Sequence, residues 1–508
     1  CVISALASNQ TNNSEYAQIL NADSRGLNLA FSLQDVQLEE VVTDGAAQSR
    51  FSIQGEGYIM EHGRPKLPAV SRTVIVPPGA GLEFEFRSNE PRIENAHNLP
   101  VTFTDENLAG ANAQNFQPLT DVFPPVVAQM SEPFIIRGVR MVRITTYPVR
   151  FDPVEKIYLH YDNIETEVSF TDAEPVNPVH NPVRRNRSQE FLKFIEAFAL
   201  NGSDISRDDP ERDLPNIKPG HYLVVSHQAC LEFVAPFIEW RRKGGYKVEI
   251  LSFNQNEANN PEIVSAGIQE RYDAYIEQGI DPFDHILLVG DRSDYVRGPD
   301  AQWVLQSPRG QSVWGQANHA DYLYACLEGN DEHMDAAISR FPAGNRETLL
   351  LVVNRTLSYE AEPFMEDPTW FTKGAAFTQH TGHGQMTYWT PYLHTCVRWG
   401  EEVLKRHGFD DIAVYDNMDW DQQGQQIHPF LRDVYNEGRN VLAGLANNYQ
   451  WRQEFQDVNN NVIFPIHLTF SEHSDFPSHN MFRTGDENNL KGPVAITATW
   501  GDIGNLEP

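Results

Sequence analysis

The feature that most constrains the fold of this chain is a change in hydrophobic periodicity near residue 220. Before it, apolar and polar residues alternate in short runs, as in residues 82–86 and 164–168, and glycine or proline separates the runs. Alternation with a period of two is typical of half-buried antiparallel strands. After it, apolar runs such as residues 222–225 are continuous and alternate with segments of helical spacing. That pattern predicts a largely parallel sheet covered by helices on both faces.

Periodicity and composition together divide the 508 residues into four segments. Residues 1–30 are polar and are predicted to be a tether. We expect residues 31–172 to form an all-β sandwich or barrel and residues 220–508 to form an α/β domain. Between them, residues 173–219 carry several prolines and clusters of charge, which indicate a linker with a short helix at 191–200.

The balance of charge excludes one broad class of partner. The chain has 39 Lys and Arg residues against 70 Asp and Glu residues, which leaves a formal net charge of −31. Such a chain repels phosphate backbones and anionic lipid. No apolar run approaches the roughly 18 residues that a membrane span needs. We therefore expect no nucleic-acid partner, and membrane attachment only through a covalent lipid.

The spacing of the cysteines indicates no metal site or redox motif, but the first of them bears on where in the cell the protein is located. Cys1, Cys230, Cys326 and Cys396 show neither a C-x-x-C motif nor a Cys/His metal spacing. Cys1 precedes a polar tract, as in a lipid-modified bacterial lipoprotein, whereas Ala-Leu-Ala at 5–7 would suit a secretory cleavage site. Both interpretations predict a protein on the outer surface of a bacterium or outside the cell. An arbitrary fragment start is the third interpretation.

Several motifs occur in a fixed order in the α/β segment. They are YLVVSH at 222–227, WRRKGGYKV at 240–248, LLVGD at 287–291, and SRFPA at 339–343 after Asp321 and Glu328-Gly-Asn-Asp331. In this order they resemble the gingipain-type cysteine peptidases. The resemblance implies a caspase-like fold, in which a parallel sheet lies between layers of helices, and a cysteine-type endopeptidase activity.

The N-terminal half resembles the propeptide of the same family. GRPKLP at 63–68, VIVP at 74–77 and YPVRFDP at 147–153 carry the likeness. In active relatives this β-rich propeptide covers the enzyme and is removed by cleavage. The basic cluster RRNR at 184–187 would suit such processing, and a solvated basic turn is the alternative.

The family places its catalytic His in a GHG motif after a strand. That strand follows N-x-G, which here is Asn436-Glu437-Gly438, and the strand itself matches residues 441–445. Where GHG belongs, this chain has Ala-Asn-Asn at 446–448, so Asn447 stands in the His position, while Trp451 keeps its downstream place. An amide cannot accept and return a proton near neutral pH.

The family's catalytic Cys follows a strand led by proline. Residues 464–470 match that strand. Counting from Pro465 puts Glu472 at the Cys position, and counting back from Phe476 puts Ser471 there. Neither alignment supplies a thiol. The chain is therefore predicted to have lost both members of the catalytic dyad, while Asp291, Trp451 and His473 are predicted to line the former pocket.

Two other constellations could supply chemistry. A literal GHG contains His383, and Cys396 follows it, although the motif precedes the helix that comes before the catalytic His strand in the family. Ser471, His473 and Asp475 have the residue types of a serine triad, but three residues spaced two apart seldom converge. We expect neither to be a catalytic site.

Acidic residues follow the predicted strands of the α/β segment. Among them, Asp321, Glu328 and Asp331 are candidate ligands for Ca²⁺, a hard cation that prefers carboxylate and carbonyl oxygens. A solvated acidic rim is the alternative. No other cofactor is expected.

The resemblance to the gingipain-type peptidases and the predicted loss of the catalytic His and Cys together predict an exported or surface-anchored gingipain-like pseudopeptidase. It would bind another protein or serve as a structural component at the cell surface. The alternative is an active gingipain-type cysteine endopeptidase, or its zymogen, that uses a relocated dyad.

Overall fold

A computed structural model of the chain describes most of its residues. The described residues are 16–43, 46–59, 61, 63–102, 119–179, 187–207, 220–292, 303–311, 317–379, 389–417, 427–445, 457–470 and 485–499. No helix among them is both long enough and apolar enough to cross a bilayer.

The N-terminal domain is built from β-strands, as predicted. Residues 17–30, predicted to belong to a tether, instead form its first strand and most of its second, because apolar side chains among them are buried in the sandwich core. Its strands are β1 Ala17–Asp23, β2 Gly26–Ser32, β3 Gln37–Thr43, β4 Ala46–Ser52, β5 Gly57–Tyr58, β6 Pro68–Ile75, β7 Gly81–Ser88, β8 Arg92–Asn95, β9 Leu99–Pro100, β10 Ala128–Met130, β11 Phe134–Ile136, β12 Val139–Thr146, β13 Val149–Asp152, β14 Ile157–His160 and β15 Asn163–Thr171. The larger sheets run β1-β2-β15-β7 and β10-β12-β6-β5, and β11 also pairs with β12.

The two larger sheets of this domain form a sandwich. Leu29 of β2 and Ile164 of β15 belong to one sheet, Val74 of β6 and Ile144 of β12 to the other, and all four are fully buried in one shared core. The alternation of their strands explains this, because every second side chain points to the same face. Smaller sheets, β13-β14-β8 and β3-β4-β9, complete the domain.

Part of the predicted linker belongs to the N-terminal domain. Residues 187–207 contain α1 Gln189–Phe198 and α2 Gly202–Arg207, and the Ser188 side chain caps α1. The buried residues Phe191 and Ile195 of α1 pack against Phe134 and Met141 of the sandwich. The assignment of 173–219 as linker is therefore wrong for this stretch, because one apolar face of α1 is buried on the β-sheet.

The C-terminal domain begins with a parallel sheet of order β17-β16-β18-β21. Its strands are β16 His221–His227, β17 Lys247–Phe253, β18 His285–Val289 and β21 Ala337–Phe341, with a small hairpin of β19 Arg309–Gln311 and β20 Ala317–His319. The helices are α3 Leu231–Lys243, α4 Gln255–Ala258, α5 Pro261–Glu277 and α6 Arg346–Glu360, and short 3-10 turns span Gln228–Cys230 and Asp321–Ala325. Apolar clusters cover both faces of the sheet, one under α5 and one under α3 and α6.

A second parallel sheet follows, of order β23-β22-β24-β25-β28. After a 3-10 turn at Pro368–Thr372 come β22 Lys373–Gln379, α7 Trp389–Arg406, β23 Asp411–Asn417, α8 Ile427–Glu437, β24 Val441–Leu445, β25 Ile466–Phe470, a hairpin of β26 Gly485–Asp486 and β27 Asn489–Leu490, and β28 Ala495–Thr499. The α/β architecture that the sequence predicted is confirmed, and the described strands form two parallel sheets rather than one.

Candidate functional site

Two neighbouring strands lead to the predicted catalytic positions. β24 and β25 pair in parallel, with Val441 beside Ile466 and Gly444 beside Thr469. Parallel neighbours end at the same edge of a sheet, where the sites of α/β proteins form. Counted along the sequence, Asn447 and Glu472 each come three residues after the Gly444–Thr469 pair. Ser471, the other candidate for the Cys position, comes two residues after that pair.

The residues beyond these strands cannot be placed in space. The predicted site residues Asn447, Trp451, Ser471, Glu472 and His473 lie outside the described part of the chain. Of the alternative pair, His383 also lies outside it, and Cys396 belongs to α7 without a described side chain. Their predicted roles stay predictions.

The strands that lead to the candidate site, β24 and β25, are tightly packed against their neighbours. Gly444 of β24 faces the ring of Phe377 so closely that a Cβ there would lie 2.4 Å from the ring. His467 of β25 is fully buried, and its Nδ1 lies 2.9 Å from the hydroxyl of Tyr435. Burial lowers the pKa of His467 to about 3. This histidine is therefore a neutral core residue and is not placed to act as a general base.

The cysteine side chains that the structure describes are unsuited to catalysis. Cys230 is fully buried, and burial raises the pKa of its thiol to about 12. Burial, together with neighbouring carboxylates such as Asp335, likewise raises the pKa of Cys326 to about 12. A nucleophilic cysteine needs the opposite, a thiol pKa lowered by a positive neighbour. Both residues are therefore structural.

Asp291, predicted to line the pocket, lies at the carboxyl end of β18. It is buried, its backbone pairs with residues 303–305, and its side chain accepts a hydrogen bond from the backbone N–H of Arg292. Gly290 before it has a positive φ, and a methyl group added there would lie 2.8 Å from Leu305 Cβ, so the turn requires glycine. The strand carrying Asp291 is in the first sheet, whereas β24 and β25 are in the second.

Asp321 binds an arginine in this structure. Its two carboxylate oxygens accept hydrogen bonds of 2.7 Å from Nε and Nη2 of Arg340. Arg340 Nη1 also donates to the carbonyls of Gly290 and Leu305. Burial alone would raise the pKa of Asp321, but the Arg340 guanidinium lowers it to about 2. This bidentate pair ties the 3-10 turn that begins at Asp321 to β21, and the bonds of Arg340 Nη1 tie the loop after β18 to the same strand.

Glu328 and Asp331 also have protein partners. Glu328 accepts a hydrogen bond from the Tyr272 hydroxyl at 2.8 Å. Asp331 accepts from the backbone N–H of Ile135 and the amide of Asn177, both in the N-terminal half. Within the part of the chain that the structure describes, no three His, Cys, Asp or Glu side chains group closely enough to hold a metal. The structure does not bring Asp321, Glu328 and Asp331 together in one such group, and Ca²⁺ binding stays a prediction.

Sequence reasoning overlooked the residues that organise these contacts. Arg340 lies inside the SRFPA motif, and a charged residue within an apolar strand was the available signal for a buried ion pair. Arg137 precedes Gly138 between two apolar runs, which signals a tight turn. Nothing local in the sequence points to its partners, because they lie more than 140 residues away.

Comparison with known proteins agrees with the order of the domains. Residues 8–198 match the family model of the C25 propeptide, and residues 216–373 match that of peptidase family C25. Gingipain R2 of Porphyromonas gingivalis is 24% identical over 367 residues, which cover 69% of this chain and 45% of that protein. Lys-gingipain of the same organism is 24% identical over 418 residues, covering 76% of this chain and 22% of that protein.

This chain thus spans less than half the length of these curated relatives. Among solved structures, it is similar to the complex of P. gingivalis RgpB pro- and mature domains, with 21% identity, a TM-score of 0.32 and coverage of 38% of this chain and 100% of that one. The Arg-specific cysteine proteinase gingipain R has 18% identity, a TM-score of 0.42 and coverage of 56% and 64%. On the two family models, which follow one another through most of its first 373 residues, the chain belongs to the gingipain-type C25 cysteine peptidase family.

Proposed function

We propose that this member of the family does not act as a thiol peptidase and instead serves as a protein-binding or structural component at the bacterial surface. One observation carries the proposal. β24 and β25 are adjacent and in register, and the residues at matched distances beyond them are Asn447 and Glu472. A peptidase of this family would present His and Cys at these positions.

The chemistry of the replacements supports inactivity. Thiol proteolysis needs a thiolate nucleophile and a base that takes and returns its proton. Asn447 cannot exchange a proton near neutral pH, and the carboxylate of Glu472 is a poor substitute for a thiolate at a peptide carbonyl. Burial raises the thiol pKa of both Cys230 and Cys326, so both side chains stay protonated at neutral pH.

The proposed binding or structural role follows from the parts of the family's architecture that this chain retains. The strands that carry the candidate site and the propeptide-like domain are both kept. A protein that does not cleave its ligand could use the same carboxyl edge to hold an exported protein or a segment of one. Location at the cell surface, implied by the family resemblance, is part of the same proposal.

A labelling experiment separates this proposal from the active alternative. The purified chain would be incubated with a fluorescent alkylating probe and with a panel of Arg- and Lys-containing peptides. We expect no turnover and no rapid labelling of the folded protein, while a Glu472→Cys variant, labelled under the same conditions, controls for access to the site. Rapid labelling at Cys396, with peptide turnover that Cys396→Ser abolishes, would establish a relocated dyad and refute the proposal.

A further inference from the structure

The second parallel sheet of the C-terminal domain has β23 as one of its outer strands. All seven residues of β23, Asp411–Asn417, pair with β22 without a break in register. Within the part of the chain that the structure describes, no other strand pairs with β23. Its outer edge therefore presents a row of backbone N–H and C=O groups that a further strand could satisfy.

The apolar side chains of β23 are half-buried on both faces of the sheet. Ile412 and Val414 lie on one face, and Ala413 and Tyr415 lie on the other, because side chains alternate along a strand. None of the four is fully buried or fully exposed. The ring of Tyr415 packs on Phe430 of α8, with 5.2 Å between ring centres. A further strand at this edge would cover apolar surface on both faces at once.

Both acidic side chains of β23 are paired with an arginine. Asp411 Oδ1 accepts a hydrogen bond of 3.0 Å from Arg439 Nη1, and Asp416 Oδ2 lies 3.5 Å from Arg398 Nη2. The whole chain carries a formal net charge of −31, so two copies repel each other at a distance. Salt screens such repulsion beyond about 10 Å at 0.1 M. Local neutralisation at β23 then lets a second acidic chain approach this edge closely.

β23 lacks the features that keep most outer strands from pairing with another molecule. Those features are short length, lysine or proline on the strand, and bulges. β23 has seven residues, no lysine, no proline and an unbroken register. The outer strand of the first sheet, β17, is equally long but carries an exposed Lys247 and a half-buried Glu249. Of these two outer strands, β23 is therefore the one suited to pairing.

We propose that β23 pairs with β23 of a second copy of this chain, antiparallel about a two-fold axis at Val414. The axis at the central residue lets all seven residues of each strand pair. The opposed pairs are then Ala413 with Tyr415, Ile412 with Asp416, and Asp411 with Asn417. No two like charges face each other, which is the arrangement that destabilises cross-strand pairs. The same patch makes the contact on both copies, as a two-fold interface requires.

This pairing joins the two five-stranded sheets into one sheet of ten strands. Because the pairing is antiparallel, the carboxyl ends of β24 and β25 in the two copies lie at opposite edges of the joined sheet. The two candidate sites therefore face opposite sides of the dimer. The inference goes beyond the proposed function, because pairing at β23 requires neither Asn447 nor Glu472.

The test is analytical ultracentrifugation of the full chain at micromolar concentration and about 0.15 M salt. The parent should sediment as a dimer, with twice the 57.7 kDa mass of one chain. Val414→Lys and Val414→Glu each place like charges opposite each other at the axis. Each variant alone should raise the dissociation constant of the dimer on the order of 100-fold. An equimolar mixture of the two should dimerise again, because each lysine then faces a glutamate.

Two controls make the test specific to β23. Ile250→Lys places the same charge on β17, at a side chain that is 38% exposed, and should leave the dimer unchanged. Val414→Cys nearly keeps the side-chain volume, so it reports on the interface even if the charged variants fail to fold. On oxidation it should form a disulfide between the two copies of residue 414, because opposed antiparallel residues have Cα atoms about 4.5–5.5 Å apart.

The same measurements can overturn the proposal. A monomeric parent would show that β23 does not pair with its own copy. A mixture of folded Val414→Lys and Val414→Glu that stays monomeric would contradict the two-fold axis at Val414, as would the absence of the disulfide in Val414→Cys. Equal loss of the dimer in Ile250→Lys and Val414→Lys would show that the effect is not specific to this strand.

Discussion

His467 should make this protein sensitive to mild acid. The imidazole is fully buried beside Phe377 and Tyr435, and burial lowers its pKa to about 3 from an ordinary value of 6.5. The folded state therefore binds fewer protons here than the unfolded state does. The stability contributed by the neutral ring is complete above about pH 6.5 and is lost as the pH falls from there towards 3.

The size of the effect follows from the pKa difference. Each pH unit below the unfolded pKa costs about 1.4 kcal/mol until the folded pKa is reached. Between about pH 7.5 and about pH 4.5, His467 alone should lower the free energy of unfolding by about 3 kcal/mol. His467→Asn removes the titration and keeps an acceptor near the Tyr435 hydroxyl.

The assay is urea denaturation followed by circular dichroism at both pH values. His467→Asn should be less stable than the parent near neutral pH, because the smaller side chain leaves a cavity, but it should lose about 3 kcal/mol less on acidification. Tyr435→Phe is the matched control, since it removes the hydrogen bond and keeps the imidazole. It should cost about 1 kcal/mol at either pH. Equal acid losses in the parent and His467→Asn would refute this reasoning.

Two further predictions concern a buried ion pair in the first sheet of the C-terminal domain and a close contact in the second. Asp321→Asn should lower the free energy of unfolding by about 3 kcal/mol, because it leaves Arg340 buried without its carboxylate, and added Ca²⁺ should not restore the loss in thermal denaturation. Rescue by Ca²⁺ would instead make Asp321 a metal ligand. Gly444→Ala should cost about 1–3 kcal/mol in urea denaturation, since its methyl would meet the Phe377 ring. Gly400→Ala, which meets nothing within 4 Å, is its control, and equal stability of the two variants would contradict the packing argument.

The fold could be predicted well where hydrophobic periodicity was long and unbroken. The continuous apolar runs of β16 and β18 and the helical spacing of α8 lead to elements that the structure confirms. The same approach failed at residues 187–207. A short amphipathic helix between proline-rich stretches looks like a linker until a surface is available to bury Phe191, and that surface comes from strands far away in the sequence.

The candidate site could be predicted less completely, because charge pairing is non-local. Judged by residue type alone, Asp321 is suited to bind Ca²⁺. In the folded chain the position of β21 in the sheet brings Arg340 to it instead. Arg137 likewise contacts three aspartates of another domain, Asp281, Asp284 and Asp335, which its local sequence does not indicate. Motif order, in contrast, identified the strands before Asn447 and Glu472 correctly, because those positions depend on local sequence landmarks.

A search for new peptide termini tests most directly whether this chain lacks peptidase activity. The purified chain would be incubated with a peptide library derived from a whole proteome, and mass spectrometry would identify every terminus absent from the untreated library. We predict none above background, because no thiol and no imidazole follow β24 and β25 at the matched positions. New termini after a defined residue type, lost in Cys396→Ser, would show that the chain is a working peptidase and would contradict the account.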